Sequence, residues 1–347
     1  MEKFINKLSE VNSGCVAAVG FKSAGIGELQ KYDRKGLLLA PGFAVTTAAY
    51  KHFLCYNNLE NPLIVTLNDL RTGADVDYVK ISKRAKTLIM RAKMPADLAM
   101  AIIDAYDYMY DMTEQPVSVS TSFTFEMPFN NADKTNETDL NVQGHGAMLY
   151  AVRKCFANVF SVSALQKIDM LKLDISELDV AVCVQKLVRA DKSCAGIGIT
   201  TDPAFASEGV MYLNGSWGLG KRSVDRNDAY DEYWIHKSPA GLSTPLVERK
   251  LGRKEDMLIA AADDDYALQT IKKATPPGMQ ERFVLNVAEV EQLAKCSTLI
   301  EDHFKMPMIF TWAKDGENNQ MYILTVHPAQ SKEPSVTASF TGKNSNV

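Results

Sequence analysis

The sequence predicts an α+β fold in which mixed and antiparallel sheets are flanked by helices. Three stretches carry this prediction. Residues 307–316 and 321–328 each alternate over a short run and are joined by a polar turn, which is typical of a β-hairpin. Residues 178–191 form an apolar run that indicates a buried strand, and residues 147–160 repeat apolar side chains at helical spacing.

The composition is that of a globular protein. Of the 347 residues, 46% are hydrophobic and 23% are charged, and the formal net charge is −4. This balance gives no reason to propose nucleic acid or a membrane surface as a partner. No apolar run approaches the ~20 residues that span a bilayer, and the N-terminus lacks a signal-peptide core. The six cysteines are scattered, so we expect buried thiols and a reducing, cytoplasmic location.

The first third of the chain predicts a strand followed by helices. Residues 15–22 predict a short strand that ends at Gly20, followed by the start of a helix. Residues 41–54 predict a turn, a β-branched strand and a helix capped by Thr46 or Thr47. Helical spacing continues through residues 76–112, where Pro95 opens a second helix.

The remaining elements lead to the hairpin. Residues 115–126 alternate as a strand, and residues 130–139 form a polar loop. A strand over residues 194–202 precedes the segment 208–220, whose glycines predict a tight loop with Trp217 filling the core beneath it. The last helical region begins at residue 283 and runs to the hairpin.

Side chains two residues apart on a strand point to the same face of the sheet, so the sequence predicts which hairpin residues share a face. Ile309 and Thr311 should therefore share one face of the first strand, and Thr325 and His327 should share a face of the second.

Several motifs resemble one family. They are Pro41–Leu54, Gly215-Ser-Trp-Gly-Leu-Gly220, Asp231–Lys237, Leu251–Glu255, Trp312-Ala-Lys-Asp-Gly316 and the closing Pro328. In this order they are similar to the nucleotide-binding domain of phosphoenolpyruvate synthase and pyruvate phosphate dikinase. The resemblance implies an ATP-grasp-like domain over residues 1–330, with lobes of roughly 1–115, 116–200 and 201–330, and a polar tail over 331–347.

The resemblance also implies which residues retain a nucleotide-binding position. These are Lys22, Glu126, Gln185, Lys186, Gly218 and Gly220. In the family the lysine contacts nucleotide phosphates, and the strand around Gln185 edges the adenine pocket. Lys22 is either such a contact or a surface lysine on a strand-to-helix turn. His145 is interpreted as a capping or surface residue.

At other family positions the side chain has been replaced. Ser120 stands for the arginine that grips the transferred phosphate, and Lys221 stands for a glutamate. The four hairpin positions that hold Mg-ATP in the family, normally Asp, Glu, Gln and Arg, are Ile309, Thr311, Thr325 and His327. Phe123 and Phe125 are bulkier than the family residues and should crowd the triphosphate. ATP remains open as a ligand, and Mg²⁺ is not expected.

We therefore predict a catalytically inactive phosphoenolpyruvate synthase-like protein. The family enzyme also needs a phosphohistidine domain and a pyruvate-binding barrel, which we do not expect in this sequence. The protein should act as a structural or interaction component of a larger assembly, cytoskeletal in one version, with residues 331–347 as a contact. Two alternatives are a metal-independent nucleotide sensor that uses Lys22, Gln185 and Gly215–Gly220, and a split phosphotransferase subunit that works with a separate phosphohistidine domain.

Overall fold

The structure is a computed structural model that describes residues 3–32, 36–68, 70, 76–109, 115–125, 138–173, 178–201, 209–220, 229–237, 246–261 and 269–329. Backbone contacts divide the chain into two compact units. Unit 1 consists of the described parts of Met1–Glu28 and Pro41–Lys186, and unit 2 of those of Leu29–Ala40 and Leu187–Val336. The finer division into three lobes stays a prediction, and the predicted tail 331–347 lies outside the described residues.

Each unit is built on its own sheet. The strands of the described residues are β1 (Ile5–Lys7), β2 (Leu38–Leu39), β3 (Gly42–Val45), β4 (Val117–Phe123), β5 (Thr138–Val142), β6 (Val180–Lys186), β7 (Cys194–Ile199), β8 (Val210–Trp217), β9 (Asp231–His236), β10 (Leu246–Lys250), β11 (Asp256–Ala260), β12 (Thr270–Ala274), β13 (Met308–Lys314) and β14 (Met321–Pro328).

The helices lie mainly in unit 1. Within the described ranges they are α1 (Val16–Leu29), α2 (Thr47–Tyr56), α3 (Glu60–Leu67), α4 (Tyr78–Arg91), α5 (Ala96–Met109), α6 (His145–Asn158), α7 (Val162–Leu171), α8 (Pro277–Gln280) and α9 (Val287–Phe304). None of these helices is long and apolar enough to cross a membrane.

Unit 1 contains an antiparallel sheet in the order β1-β3-β6-β4-β5. Because strand side chains alternate, β4 and β6 present two different faces. One face packs into the apolar core with residues of helices α2 to α7; it carries Val117, Val119, Phe123, Val180, Val182 and Val184. The other face of β4 carries small hydroxyl side chains, namely those of Ser118, Ser120 and Ser122. The sheet therefore separates an apolar core from a polar face.

The local predictions for the helices of unit 1 agree with the structure. Thr46 is the N-cap of α2, and its hydroxyl accepts a hydrogen bond from Ala49 N at 3.3 Å. Tyr50 and Phe53 are buried on the inner side of the same helix. The predicted helix around residues 147–160 is α6, which begins at His145.

Unit 2 contains a mixed sheet in the order β10-β9-β8-β7-β13-β14-β2, in which β14 and β2 are parallel. The predicted hairpin is confirmed as the antiparallel pair β13 and β14. Strands β11 and β12 form a separate antiparallel pair. Helix α9 begins with a capping box, since Asn286 and Glu289 each accept a backbone N–H of the other. The predicted α+β class with mixed and antiparallel sheets is therefore confirmed.

Two local predictions are wrong. Residues 15–22 are helical instead of extended, since a 3₁₀ helix covers Ser13–Cys15 and α1 begins at Val16. A short apolar run has no alternation to distinguish a strand from a buried helix, which explains the error. The predicted strand over residues 178–191 is shorter, because β6 ends at Lys186 and a 3₁₀ helix covers Ala190–Lys192.

A fully buried ion pair joins three segments of unit 2. Lys254 Nζ donates to Asp231 Oδ1 at 2.5 Å and to Gly252 O at 2.9 Å, and both charged side chains are 0% exposed. Asp231 also accepts the backbone N–H groups of Gly252 and Val284, at 2.8 and 2.7 Å. The pair thus connects the start of β9 to residues 252–254 and to the segment before α9. Two buried charges are tolerated here because each is paired and hydrogen-bonded.

Breaking this pair should destabilise unit 2 strongly. We expect Asp231→Asn to cost roughly 3–5 kcal/mol of unfolding free energy, because it leaves the Lys254 ammonium buried without its counter-charge. Urea unfolding of the whole chain, followed by far-UV circular dichroism, measures this cost. Glu232→Gln is the matched control, since Glu232 pairs with the exposed Lys250 at 3.2 Å and should cost less than about 1 kcal/mol. Equal costs for the two variants would contradict the account.

Candidate functional site

In unit 1, a break in α1 positions Lys22. Gly20 adopts φ 71° and ψ 168°, and an ideal Cβ at this position would lie 2.2 Å from Ser122 O. Only glycine tolerates both the left-handed backbone and this close approach to β4. The segment after the break is held against the strand, because Ser23 N donates to Ser122 Oγ at 3.2 Å. Lys22 then reaches β4, and its Nζ donates to Ser120 Oγ at 2.5 Å.

The structure therefore brings together two predicted phosphate-binding positions. Ser120 occupies the position of the family's arginine. Its hydroxyl accepts a hydrogen bond from the ammonium of Lys22 and donates one to Cys183 O at 3.3 Å. Because Cys183 is the register partner of Ser120, the three residues meet where β4 pairs with β6.

The side chain of Lys22 is partly desolvated. The residue is half-buried, and burial lowers the pKa of its ammonium from the usual value, while the nearby thiols of Cys183 and Cys155 oppose this shift. Burial also raises the pKa of the Cys155 thiol to about 12, so this thiol is neutral near pH 7. Burial therefore disfavours the charged form of Lys22, and contact with an anion would favour it.

Gln185 also lies on the polar face of unit 1, the face that carries Ser118, Ser120 and Ser122. It pairs in register with Ser118, next to Ser120 on the same face of β4. The residue is 2% exposed, and its Nε2 has no hydrogen-bond partner among the described residues. A buried amide N–H₂ without an acceptor is costly, and Gln185 shares this condition with other buried donors such as Trp312 Nε1. The next predicted contact, Lys186, is exposed.

The expectation that Phe123 and Phe125 crowd a triphosphate is wrong. Phe123 is 4% exposed and belongs to the apolar core of unit 1, with Phe125 packed against that core. Their ring centroids lie 5.2 Å apart. Strand alternation places Phe123 on the face opposite Ser120 and Ser122, so the rings leave the polar face clear.

In unit 2, the four replaced hairpin positions lie on one face. Thr311 is the register partner of Thr325, and Ile309 is the register partner of His327. The two threonine hydroxyls form a hydrogen bond, with 2.8 Å between the Oγ1 atoms. Ile309 is only 9% exposed. The prediction that these side chains share a face is therefore confirmed. The hydroxyls of the two threonines are hydrogen-bonded to each other.

These side chains do not fit a Mg²⁺ ion. Magnesium in nucleotide sites is held through one or two carboxylates together with substrate phosphates. The hairpin face offers two neutral hydroxyls, an isoleucine and a histidine instead. Glu232 lies farther along the sheet and is engaged by the Tyr212 hydroxyl at 2.7 Å and by Lys250. Among the residues that the structure describes, no group of three His, Cys, Asp or Glu side chains could hold a metal ion.

The glycine-rich segment at the end of β8 uses its backbone for packing. Gly218 N donates to Ser193 O at 3.0 Å, and Leu219 N donates to Leu258 O at 2.8 Å. Gly218 has φ 87°, and a Cβ there would lie 2.4 Å from Leu258 O, so only glycine allows this approach. Gly220, at φ 66°, is equally restricted. The N–H of Gly218 is thus committed to the protein, and its predicted nucleotide contact stays a prediction.

Trp217 does not fill the core beneath this segment. It is half-buried, and its Nε1 donates to Met279 O at 2.9 Å. The tryptophan that fills the core of unit 2 is Trp312, which is 0% exposed. The polar indole N–H favours an edge position where it can reach a carbonyl.

Of the three remaining predicted positions, the structure describes only His145. His145 begins α6, and its Nε2 lies 2.8 Å from Asp107 Oδ1 with the imidazole 42% exposed, which agrees with a surface role. Glu126 and Lys221 lie outside the described residues.

Comparison with known proteins decides the family. Residues 16–344 match the model of the pyruvate phosphate dikinase AMP/ATP-binding domain. The chain belongs to this family. The match agrees with the predicted ATP-grasp-like domain of the pyruvate phosphate dikinase type.

Relatives of this pyruvate phosphate dikinase domain are longer proteins. The phosphoenolpyruvate synthase of Aquifex aeolicus is 32% identical over 335 residues, which cover 92% of this chain and 39% of the relative. That of Helicobacter pylori is 31% identical and covers 99% of this chain and 44% of the relative. A probable phosphoenolpyruvate synthase of Methanocaldococcus jannaschii is 32% identical, with 94% and 26% covered. The chain therefore spans less than half the length of these three relatives.

Sequence reasoning missed two features of this domain. The buried pair of Asp231 and Lys254 falls in two matched motifs, but nothing in the sequence shows that residues 23 apart form an ion pair. The unpartnered amide of Gln185 was equally invisible, because the hydrogen-bond partners of a strand residue depend on what lies over the sheet.

The break at Gly20 can be tested directly. We expect Gly20→Ala to cost about 1–3 kcal/mol of stability, because an alanine cannot easily adopt this backbone or approach Ser122. Gly146 is the matched control, since it lies in helix α6 and a Cβ there meets nothing within 4 Å. Gly146→Ala should stabilise by about 0.5–1 kcal/mol. Thermal unfolding measures both, and a neutral Gly20→Ala would contradict the proposed constraint.

Proposed function

We propose that this protein is a catalytically inactive member of the pyruvate phosphate dikinase AMP/ATP-binding family that serves as a structural or interaction component of a larger assembly. The observation that carries the proposal is the hydrogen bond between Thr311 and Thr325. These residues stand where the resemblance implies a glutamate and a glutamine that hold Mg-ATP. Their hydroxyls are 2.8 Å apart and satisfy each other instead of presenting charge.

The chemistry of phosphoryl transfer supports inactivity. Catalysis of this reaction consists almost entirely of positioning and of neutralising charge with metal ions and cationic side chains. Removing one positioned donor typically costs about 10²–10³ in rate. Here a carboxylate, an amide and an arginine are replaced together, by Thr311, Thr325 and Ser120. A Mg²⁺ ion has no carboxylate ligand at the hairpin positions, so we propose that none is resident there.

The proposed interaction role needs contact positions, and unit 1 has exposed apolar side chains on its helices. Large side chains that are 60–71% exposed occur on four of its helices, namely Val65, Val79, Met100, Tyr108 and Met170. Scattered exposed apolar residues are ordinary on protein surfaces, so these side chains are proposed contact positions for the partner-capture experiment below. The polar segment 331–347 is the second proposed contact.

A second candidate is a metal-independent nucleotide sensor. It is supported by the half-buried ammonium of Lys22 and by the unpartnered Nε2 of Gln185 on the polar face of unit 1. Both groups are hydrogen-bond donors, as contacts to a phosphate or a base would require. Neither candidate transfers a phosphoryl group. The sensor differs from the structural component because it still binds a nucleotide.

Restoring the family side chains should restore dependence on magnesium. We expect Mg-ATP to raise the melting temperature of the Thr311→Glu/Thr325→Gln variant more than ATP with EDTA does, because a carboxylate and an amide can again ligate the ion. The unmodified protein should show no such difference. Thr66→Glu/Thr298→Gln, which makes the same two exchanges on helices α3 and α9, is the matched control. A magnesium-dependent shift in the unmodified protein, or its consumption of Mg-ATP, would contradict inactivity.

The assembly role predicts capture of partners that depends on the C-terminal segment. Affinity purification of the full chain from native extract should recover specific proteins, and a chain ending at Gln330 should lose them. A version in which residues 331–347 are scrambled controls for length. Recovery of phosphohistidine-domain proteins that receive phosphate from ATP would instead establish the split phosphotransferase.

A further inference from the structure

Among the helices that the structure describes, α4 (Tyr78–Arg91) has the most one-sided charge. Five of its 14 residues are Lys or Arg, and none is Asp or Glu. The whole chain has a formal net charge of −4, so this helix departs from the balance of the sequence. A local excess of one sign of charge favours association with a group of the opposite sign.

The basic side chains of α4 lie along its outer face. The opposite face is buried in the core of unit 1 through Ile81, Ala85 and Ile89. The exposed basic residues, which we call the basic stripe, are Lys80, Lys83, Arg84 and Arg91. They stand three, four and eleven residues after the first of them, which keeps them on one side of a helix with 3.6 residues per turn. The stripe is about 16 Å long at 1.5 Å per residue.

The stability of the helix accounts for only part of this stripe. Arg91 lies in the last turn, where a cation interacts favourably with the helix dipole. Lys80 and Lys83 lie near the N-terminal end, where the dipole disfavours positive charge, and each stands three residues from another cation. Neither forms an ion pair with another described residue. Since a solvated helix face usually alternates the two signs, the stripe is better suited to an external counter-charge.

The surroundings of the stripe favour a protein over a phosphate-rich surface. An amphipathic helix that binds a membrane buries its apolar face in the lipid, and the core of unit 1 already occupies that face of α4. Domains that bind nucleic acid are usually basic as a whole, whereas this chain is net negative. Val79 is 66% exposed and stands one helical turn before Lys83, so an apolar contact lies beside the charges. Such a mixture is typical of protein interfaces.

We propose that the basic stripe of α4 binds an acidic α-helical segment of a partner protein. This proposal rests on the proposed interaction role and names the chemistry of the partner. Carboxylates three or four residues apart on the partner helix repeat at about 5–6 Å, as the cations of the stripe do. The two sets of charges can therefore pair along the length of α4. Because these pairs remain close to solvent, the association weakens as the salt concentration rises.

Fluorescence anisotropy with a defined probe tests the stripe directly. The probe is a labelled, alanine-rich helical peptide with glutamates along one face, and its control has glutamine in place of every glutamate. We expect the full chain to bind only the acidic peptide, and to bind it more weakly as salt rises from about 20 to about 200 mM, because salt screens the charges. Phosphatidylserine vesicles and duplex DNA, titrated at the same ionic strengths, should bind more weakly than the peptide.

Charge reversal locates the contact. Lys80→Glu/Lys83→Glu should weaken binding of the acidic peptide about tenfold or more, because repulsion replaces attraction. Helix α4 should stay folded in this variant, since acidic residues suit the N-terminal end of a helix. Lys273→Glu/Lys295→Glu is the matched control, because it makes the same change of net charge at exposed positions of β12 and α9, and it should leave the affinity nearly unchanged.

Carbodiimide coupling examines the contact with a native partner. This reagent joins an amine to a carboxylate only where the two are in direct contact. Treatment of the full chain in native extract should therefore link Lys80 or Lys83 to Asp or Glu residues of an acidic segment, which mass spectrometry of the linked peptides identifies. Lys80→Arg/Lys83→Arg keeps the charge but removes both amines, so it should retain the partner and the acidic peptide while losing these links.

Three results would overturn the proposal. They are unchanged affinity for the acidic peptide in a folded Lys80→Glu/Lys83→Glu variant, binding of vesicles or DNA at least as tight as that of the peptide, and native partners whose carboxylate links all avoid α4. Failure here is distinguishable from failure of the proposed function. Partners that are captured without contacting α4 would leave the interaction role intact, whereas ATP consumption would overturn the inactivity alone.

Discussion

The pairing register of β13 and β14 is the constraint on which the functional interpretation depends. It sets Thr311 opposite Thr325 and Ile309 opposite His327, so that four altered family positions occupy one small area. A shift by one residue would move every one of them to the opposite face. The same register buries Met308, Phe310 and Trp312 on the other side, each 0% exposed. The core of unit 2 therefore fixes which side chains the hairpin offers to a ligand.

Unit 1 keeps a lysine at a predicted nucleotide-binding position, whereas the hairpin of unit 2 carries replaced side chains at four such positions. The left-handed backbone at Gly20 positions Lys22 against β4, where it contacts Ser120. Ser120 stands at the position of the family's arginine, and Phe123 lies on the opposite face of β4, in the apolar core. The proposed inactivity rests on the hairpin replacements, and the alternative of a nucleotide sensor rests on Lys22.

The sequence was informative where a pattern is local. Alternation predicted β13 and β14, and a threonine before a helical repeat predicted the cap of α2. The resemblance to phosphoenolpyruvate synthase, carried by dispersed motifs, led to the family that the comparison confirms. The errors arose where tertiary contacts decide. Residues 15–22 are apolar in either a strand or a helix, the direction of Phe123 depends on which face of the sheet the helices cover, and the partner of Asp231 lies in another segment.

The most direct measurement is a crystal structure of the protein grown with manganese and ATP, with anomalous scattering used to locate the metal. Manganese replaces magnesium in oxygen-ligated sites and is visible by its anomalous signal. The account predicts no anomalous peak within about 2.5 Å of the hydroxyl oxygens of Thr311 and Thr325. A manganese ion bound to those oxygens and bridged to a triphosphate would contradict it.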